Sequence, residues 1–199
     1  MVYVRGCMLR TELLQQRLDE ATAALASLRS ASISEQFSAV ADTIVKAMRG
    51  GGKVLLCGNG GSCADAQHLA AEMIGRFQLD REPLPAVALA DNLAALTAVA
   101  NDYSYADVFS RGLRALGRPG DVLLAFSTSG NSENVIAATE TARDMDITTV
   151  AFVGESGSRL AVVADFVFEV GPHGTARVQE LHKFLGHTLF EVVEREICA

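Results

Sequence analysis

Val54-Leu55-Leu56-Cys57-Gly58-Asn59-Gly60-Gly61-Ser62 is a short aliphatic run that ends in a glycine turn and a serine. It reads as a buried strand, a tight loop and a helix N-terminus. Glycines remove the Cβ barrier, so backbone N–H groups in such a loop can close on an anion or a sugar hydroxyl in front of the helix dipole. Asp65, His68, Glu72 and Arg76 follow at spacings that place them on one helical stripe about 80° wide, starting one turn into the helix. The bland alternative for this stripe is a solvated face laced with i,i+4 pairs. Its start directly behind the glycine loop favours an active-site layout, with two carboxylates, an imidazole and a guanidinium aimed at one region. His68 and Glu72, one turn apart, can also share a metal ion.

The rest of the chain alternates in the same way. Strand candidates are Val54–Cys57, Ala86–Leu89, Val122–Phe126, Thr148–Val153 and Phe166–Val170. Helical stretches are Ser62–Phe77, Leu93–Ala100 with Ala106–Leu116, Ser132–Asp144, Arg159–Ala164, and a long final helix from about Thr175 to Ile197. Ahead of them, Leu9–Leu28 carries Leu13, Leu14, Leu18, Ala21, Leu25 and Leu28 at amphipathic spacing, and a second helix capped by Ser34 runs to about Met48. This order predicts an α/β fold, a parallel sheet of about five strands between two helical layers, with ligands at the carboxyl ends of the strands. No linker or repeat divides it, so residues 1–199 are expected to form one domain.

With 199 residues, 49% of them hydrophobic, the chain can build a full core. No apolar run approaches the roughly 18 residues of a membrane span. Met1–Arg10 lacks the apolar stretch of a secretory signal, and Met8 is a possible alternative start. Cys7, Cys57, Cys63 and Cys198 form no CxxC pair and fit reduced thiols in a cytoplasm. A net charge of −7, no Trp and only three Tyr argue against nucleic acid as a partner.

A second loop repeats the logic of the first. Strand Val122–Phe126 runs into Ser127-Thr128-Ser129-Gly130-Asn131-Ser132 at a helix start. An N-cap needs one hydroxyl; the four here suit a phosphate monoester held by hydroxyls and free N–H groups without a formal cation. In the final helix, Val178, Leu181, Leu185, Leu189, Val192 and Val193 form a core stripe that includes His182, which reads as a satisfied interior histidine. Gln179 and His187 lie outside it with Lys183, Gly186 and Phe190, and the helical wheel leaves His187 balanced between a solvated and an active residue. Gln179 and His187 are also the candidates to complete a metal site with His68 and Glu72, although eight residues of helix separate them by about 12 Å.

Gly58-Asn59-Gly60-Gly61-Ser62, Asp65-Ala66-Gln67-His68, Glu72, Ala100-Asn101-Asp102, Ser127-Thr128-Ser129-Gly130-Asn131-Ser132 and Arg177-Val178-Gln179-Glu180-Leu181-His182 together resemble the phosphoheptose isomerases of the sugar isomerase (SIS) fold. Those enzymes convert sedoheptulose 7-phosphate to glycero-manno-heptose 7-phosphate, the first step of nucleotide-activated heptose biosynthesis. The resemblance runs from the front helices to the last helix. It implies Glu72 as the proton-shuttling base, His187 as the acid, and zinc on His68, Glu72, Gln179 and His187. It also implies phosphate on Ser127, Thr128, Ser129 and Ser132. Asn59, Gly60, Gly61, Ser62, Asn101, Asp102 and Gln179 would line the sugar, with Asp65 and Arg76 at the site edge.

The resemblance further implies a homotetramer with sites at subunit contacts, residues 9–50 serving as a helical packing extension. Ala176 stands where some relatives carry an acidic residue. One relative is a non-catalytic partner of the bacterial replication initiator; it lacks acid/base residues at the positions of Glu72 and His187, both present here. SIS regulators ordinarily carry an added DNA-binding domain, for which this chain has no room.

Overall fold

Period-2 alternation in the aliphatic runs decides which way each strand faces. Strands β1 (Val54–Gly58), β2 (Ala86–Ala88), β3 (Val122–Ser127), β4 (Thr148–Val153) and β5 (Phe166–Glu169) form one parallel sheet in the order β2-β1-β3-β4-β5. The computed structural model describes residues 9–199, so Cys7, Met8 and the opening segment lie outside the described residues. Val54, Leu56, Leu124, Phe126 and Phe152 project to one face, where they pack on α2 (Ala31–Arg49), α3 (Gly61–Ile74) and α8 (Thr175–Cys198). Leu55, Cys57, Leu123, Ala125 and Ala151 project to the other, against α5 (Val108–Leu116), α6 (Glu133–Asp144) and α7 (Arg159–Val163). The expected αβα sandwich is therefore present, and all five strand candidates are strands.

Several local expectations need correction. Helix α2 begins at Ala31, because Ser30 caps it by accepting from Ile33 N at 3.3 Å. Ser34 lies inside the helix and donates to the Ser30 carbonyl. Helix α3 stops at Ile74, where Gly75 closes the last turn by donating to the Ala71 carbonyl. Arg76 and Phe77 are thus outside the helix, and Arg76 does not continue the Asp65–Glu72 stripe. In α8, Gly186 and Phe190 are buried, because that face meets α3 and not solvent. Helix α1 (Leu9–Ser27) buries Ala24, and Leu28 just beyond it is also buried, but Leu13, Leu14, Leu18 and Leu25 are exposed on the single chain. Helix α4 (Leu93–Asp102) is more apolar than α1 and buries no residue.

At the amino ends of β1 and β3 a buried ion pair ties the sheet to its entry turns. Asp121, 1% exposed, accepts from Lys53 N at 2.9 Å, Arg118 N at 2.8 Å and Lys53 Nζ at 2.6 Å. Removing one partner of such a buried pair costs about 3–5 kcal/mol, since the other charge is left uncompensated. Asp121→Asn should therefore lower stability by an amount approaching that range in urea unfolding, with the sheet's opposite end intact.

Candidate active site

The strand order reverses between β1 and β3, and in open α/β sheets the crevice beyond such a switch point takes the ligand. The loops after β1 and β3 flank this crevice. Gly60 has a φ of 55°, which a side chain would strain, and it enters α3 without any side-chain cap. Ser132 precedes α6 but does not cap it; its hydroxyl instead pairs with Ser127 Oγ at 3.0 Å. The capping alternative for this serine-rich loop is therefore not taken, and the first amides of α6 stay open for an anion. Next to the loop, a cavity of about 320 Å³ is lined by Thr128, Ser129, Asn131, Glu155, His173 and Thr175. A larger cavity of about 520 Å³ lies at the amino ends of the strands, away from every candidate site residue.

Helices α3 and α8 run side by side in the same direction, and two glycines permit their approach. A Cβ on Gly186 would sit 2.7 Å from Leu69 Cδ1, and one on Gly61 would overlap the Gln179 amide. Gln179 Nε2 donates to Asp65 Oδ2 at 2.8 Å, and Lys183 Nζ lies 3.6 Å from Asp65 Oδ1. Two turns of α8 further on, His187 meets the His68–Glu72 pair. The His68 and His187 Nε2 atoms are 3.1 Å apart, and Glu72 Oε1 is 3.1 Å from His68 Nε2 and 3.5 Å from His187 Nε2.

This triangle fits a metal ion better than protons. If both Nε2 atoms carry hydrogens they oppose each other; if one does, its single proton is shared between two acceptors, the other Nε2 and Glu72 Oε1. Zinc bonds of about 2.0–2.2 Å in tetrahedral geometry place donor atoms about 3.3–3.6 Å apart, close to the edges seen here. His68, Glu72 and His187 are the group of possible metal-ligating residues that the described residues bring together. Burial pushes the His187 pKa down, as do His68 and Lys183, against the opposing pull of Glu72. That favours the neutral imidazole that ligation requires. Glu72 Oε2 is buried with no hydrogen-bond partner among the described residues, so one oxygen of this carboxylate faces the triangle and the other is unengaged.

The SIS domain profile matches residues 18–154. Phosphoheptose isomerase of Aquifex aeolicus is 49% identical over 165 residues, covering 83% of this chain and 86% of its own length. The phosphoheptose isomerase structure from Neisseria gonorrhoeae superposes with a TM-score of 0.87 at 39% identity, over 93% of this chain and 98% of that one. The one from Francisella tularensis gives 0.89 at 32%, over 94% and 100%.

The chain belongs to the phosphoheptose isomerase family. Of the residues that the family resemblance singled out, the structure gathers His68, Glu72 and His187 tightly, with Asp65 and Gln179 one level below them. It gathers Ser127 and Ser132 at the second loop. Gln179 is engaged by Asp65 and not by the triangle. Asn101 donates to Asp102 Oδ1 at 2.8 Å on the exposed end of α4. Arg76 is exposed, with no hydrogen bond or ion pair among the described residues. The side chain of Asn59 is spoken for: it exchanges two amide hydrogen bonds with Asn134, at 2.7 and 2.8 Å, and accepts from Tyr105 Oη at 2.9 Å. Asn134 and Tyr105 were not foreseen; a buried Asn among the apolar residues of α6 was the available signal.

His182 is interior, as its place in the aliphatic stripe predicts, but it is not satisfied. It is 1% exposed, its ring lies 5.9 Å from Phe152 and 6.4 Å from Phe126, and neither nitrogen has a well-formed hydrogen bond among the described residues. Burial pushes its pKa down to about 4, against weaker pulls from the Val153 backbone and Asp65. Between the usual 6.5 and about 4, the unfolded chain takes a proton that the folded one refuses, so stability falls as pH drops through that window. At about 1.4 kcal/mol per pH unit the full loss is about 3 kcal/mol. Urea unfolding from pH 7.5 down to 4.5 should show this acid slope, and His182→Leu should remove most of it.

Proposed function

We propose that this protein is an aldose–ketose isomerase that converts sedoheptulose 7-phosphate to D-glycero-D-manno-heptose 7-phosphate through an enediol(ate). The observation that carries the reading is a carboxylate, Glu72, held between two imidazoles, in a chain that also presents an uncapped hydroxyl-rich loop after β3. Isomerisation moves a proton between adjacent carbons and needs a base, an acid and stabilisation of charge on oxygen. Glu72 moves the carbon proton. His187 supplies or takes the proton on oxygen whenever its Nε2 is not engaged by a metal, and Ser127, Thr128, Ser129 and Ser132 with the α6 amides anchor the phosphate. Asn59, Gly60, Gly61, Ser62, Asn101, Asp102 and Gln179 line the sugar, while Asp65 orients Gln179 and Arg76 stands at the edge. The unpartnered Oε2 of Glu72, buried in the single chain, leaves one oxygen of this carboxylate uncommitted to any protein group while the other faces the two imidazoles.

His68, Glu72 and His187 would hold zinc, with Gln179, whose amide nitrogen is engaged by Asp65, proposed as the fourth ligand. Bound there, zinc supplies Lewis-acid polarisation of the substrate oxygen. We further infer one SIS domain over residues 1–199, a homotetramer packed through residues 9–50, a cytoplasmic location, and a place at the entry to heptose activation. The exposed leucines of α1 and the unburied apolar surface of α4 support assembly. No helix among the described residues is long and apolar enough to cross a membrane, which fits that setting.

Incubation with a panel of ketose and aldose phosphates, followed by NMR of the products, tests the assignment. Turnover of sedoheptulose 7-phosphate is expected; no turnover of any sugar phosphate, together with tight binding to a replication initiator, would favour the non-catalytic class. Glu72→Gln keeps size and removes the base, so kcat should fall about 10²–10⁴-fold while the fold persists by circular dichroism. Ser127→Ala should act mainly on KM, raising it about ten- to a hundredfold by loss of one hydrogen bond to a charged group. Unphosphorylated sedoheptulose turning over at a comparable rate would rule out the loop assignment.

A further inference from the structure

Beyond the end of α3 the chain wraps around a carboxylate from α8. Glu194 is fully buried, and its two oxygens accept from the backbone N–H groups of Phe77 (3.2 Å), Gln78 (2.8 Å) and Leu79 (3.1 Å) and from Arg81 Nε (2.8 Å). Burial would raise its pKa, but the three N–H donors and Arg81 outweigh burial and hold it below the usual range. The same guanidinium reaches back to α3. Arg81 Nη1 donates to the Met73 carbonyl at 2.8 Å and Nη2 to the Glu72 carbonyl at 3.0 Å. These are carbonyls that the end of a helix leaves without an intrahelical partner.

Two features connect this arrangement to the triangle. One carbonyl capped by Arg81 belongs to Glu72 itself. Phe77, whose N–H is fixed by Glu194, stacks its ring on His187 with centroids 5.7 Å apart and planes at 21°. Glu194 also lies seven residues after His187 on α8, two turns along the same helix. A single buried carboxylate thus fixes the backbone under Glu72 on one side and the ring against His187 on the other.

We propose that Glu194 and Arg81 are positioning residues, a clamp that holds Glu72 and His187 at metal-binding distance across the α3–α8 seam, with Phe77 as its contact to the imidazole. This rests on the metal reading of the triangle given above. The clamp touches neither substrate nor metal; it acts by fixing the two side chains that do. A buried ion pair used only for stability would not need to hold a ligand residue's own carbonyl. The Lys53–Asp121 pair at the other end of the sheet is such a stability element, and it contacts no site residue.

The test compares wild type, Glu194→Gln, Arg81→Lys, Phe77→Leu and Asp121→Asn. For each, zinc affinity of the metal-free protein is measured by competition with a chromophoric chelator, beside kcat, KM and thermal stability. Partners that orient metal ligands typically contribute about 10- to 100-fold in metal affinity. Glu194→Gln and Phe77→Leu should weaken zinc by that order and lower kcat with little change in KM, because the phosphate loop is held by other elements. Arg81→Lys, which keeps the charge but loses the forked reach, should fall between them and wild type. Asp121→Asn should lose stability and keep wild-type zinc affinity. Phe77→Leu leaves the ion pair intact and so reports on positioning even if Glu194→Gln fails to fold.

Wild-type zinc affinity in Phe77→Leu and Arg81→Lys would overturn the clamp, whatever their melting temperatures. So would an equal loss of zinc affinity in Asp121→Asn. A wild type that takes up no zinc would overturn the metal reading and the clamp with it. Zinc uptake that follows the expected order without turnover of any sugar phosphate would instead uphold the clamp and overturn the isomerase assignment.

Discussion

The close lateral contact of α3 and α8 is the constraint from which the site follows. Two parallel helices of ordinary side chains have axes about 8–10 Å apart, with their facing residues between them. Here Gly186 yields its place to Leu69, and Gly61 yields its place to the Gln179 amide. Removal of those two side chains lets Asp65 meet Gln179 and lets His68 and Glu72 meet His187, residue pairs more than a hundred positions apart in sequence. A glycine inside a helix costs about 1 kcal/mol relative to alanine. At Gly186 that cost is offset by a seam that places three potential ligand atoms on one another.

Charge at this seam is arranged in levels. Asp65, 5% exposed, is answered by Gln179 and Lys183. Glu72 above it faces two imidazoles, one of them held neutral by burial. Glu194 at the far end is answered by a guanidinium and three backbone amides. Of the three carboxylates only Glu72 has an oxygen left without a partner among the described residues. Glu72 is thus the carboxylate of the seam whose hydrogen-bonding capacity is not fully used, while Asp65 and Glu194 are satisfied by their neighbours.

The fold was largely legible in the sequence because aliphatic runs, glycine turns and helical stripes are local signals. All five strands and the order of the helices followed from them. Of the candidate site, the placement of Asp65, His68 and Glu72 on one stripe behind the glycine turn, and of the serines in the loop behind β3, was legible because a stripe or a loop carries each. Arg76 was misplaced because the end of α3 is set by Gly75 and by distant Glu194, whose pull on residues 77–79 no local pattern reveals. Gly186 and Phe190 read as a non-core face, since a helical wheel shows one stripe and α8 packs on both the sheet and α3. The partnership of Asn59 with Asn134 was equally hidden, as it joins residues 75 positions apart.

The uncapped starts of α3 and α6 have a thermodynamic consequence. An unused Ser cap, as at Ser132 of α6, forgoes about 1 kcal/mol, while a glycine cap, as at Gly60 of α3, forgoes only about a few tenths, and the two starts flank one crevice. On the phosphate reading proposed above, an anion seated there would act as the missing cap, so that occupancy and folding would become a single linked equilibrium. The empty protein would then be the less stable form, and a bound phosphorylated ligand would recover stability as RT ln(1 + [L]/Kd), about 2.7 kcal/mol at a hundredfold excess over Kd. Under that linkage the persistence of the folded chain against unfolding and proteolysis follows the supply of the molecule it binds.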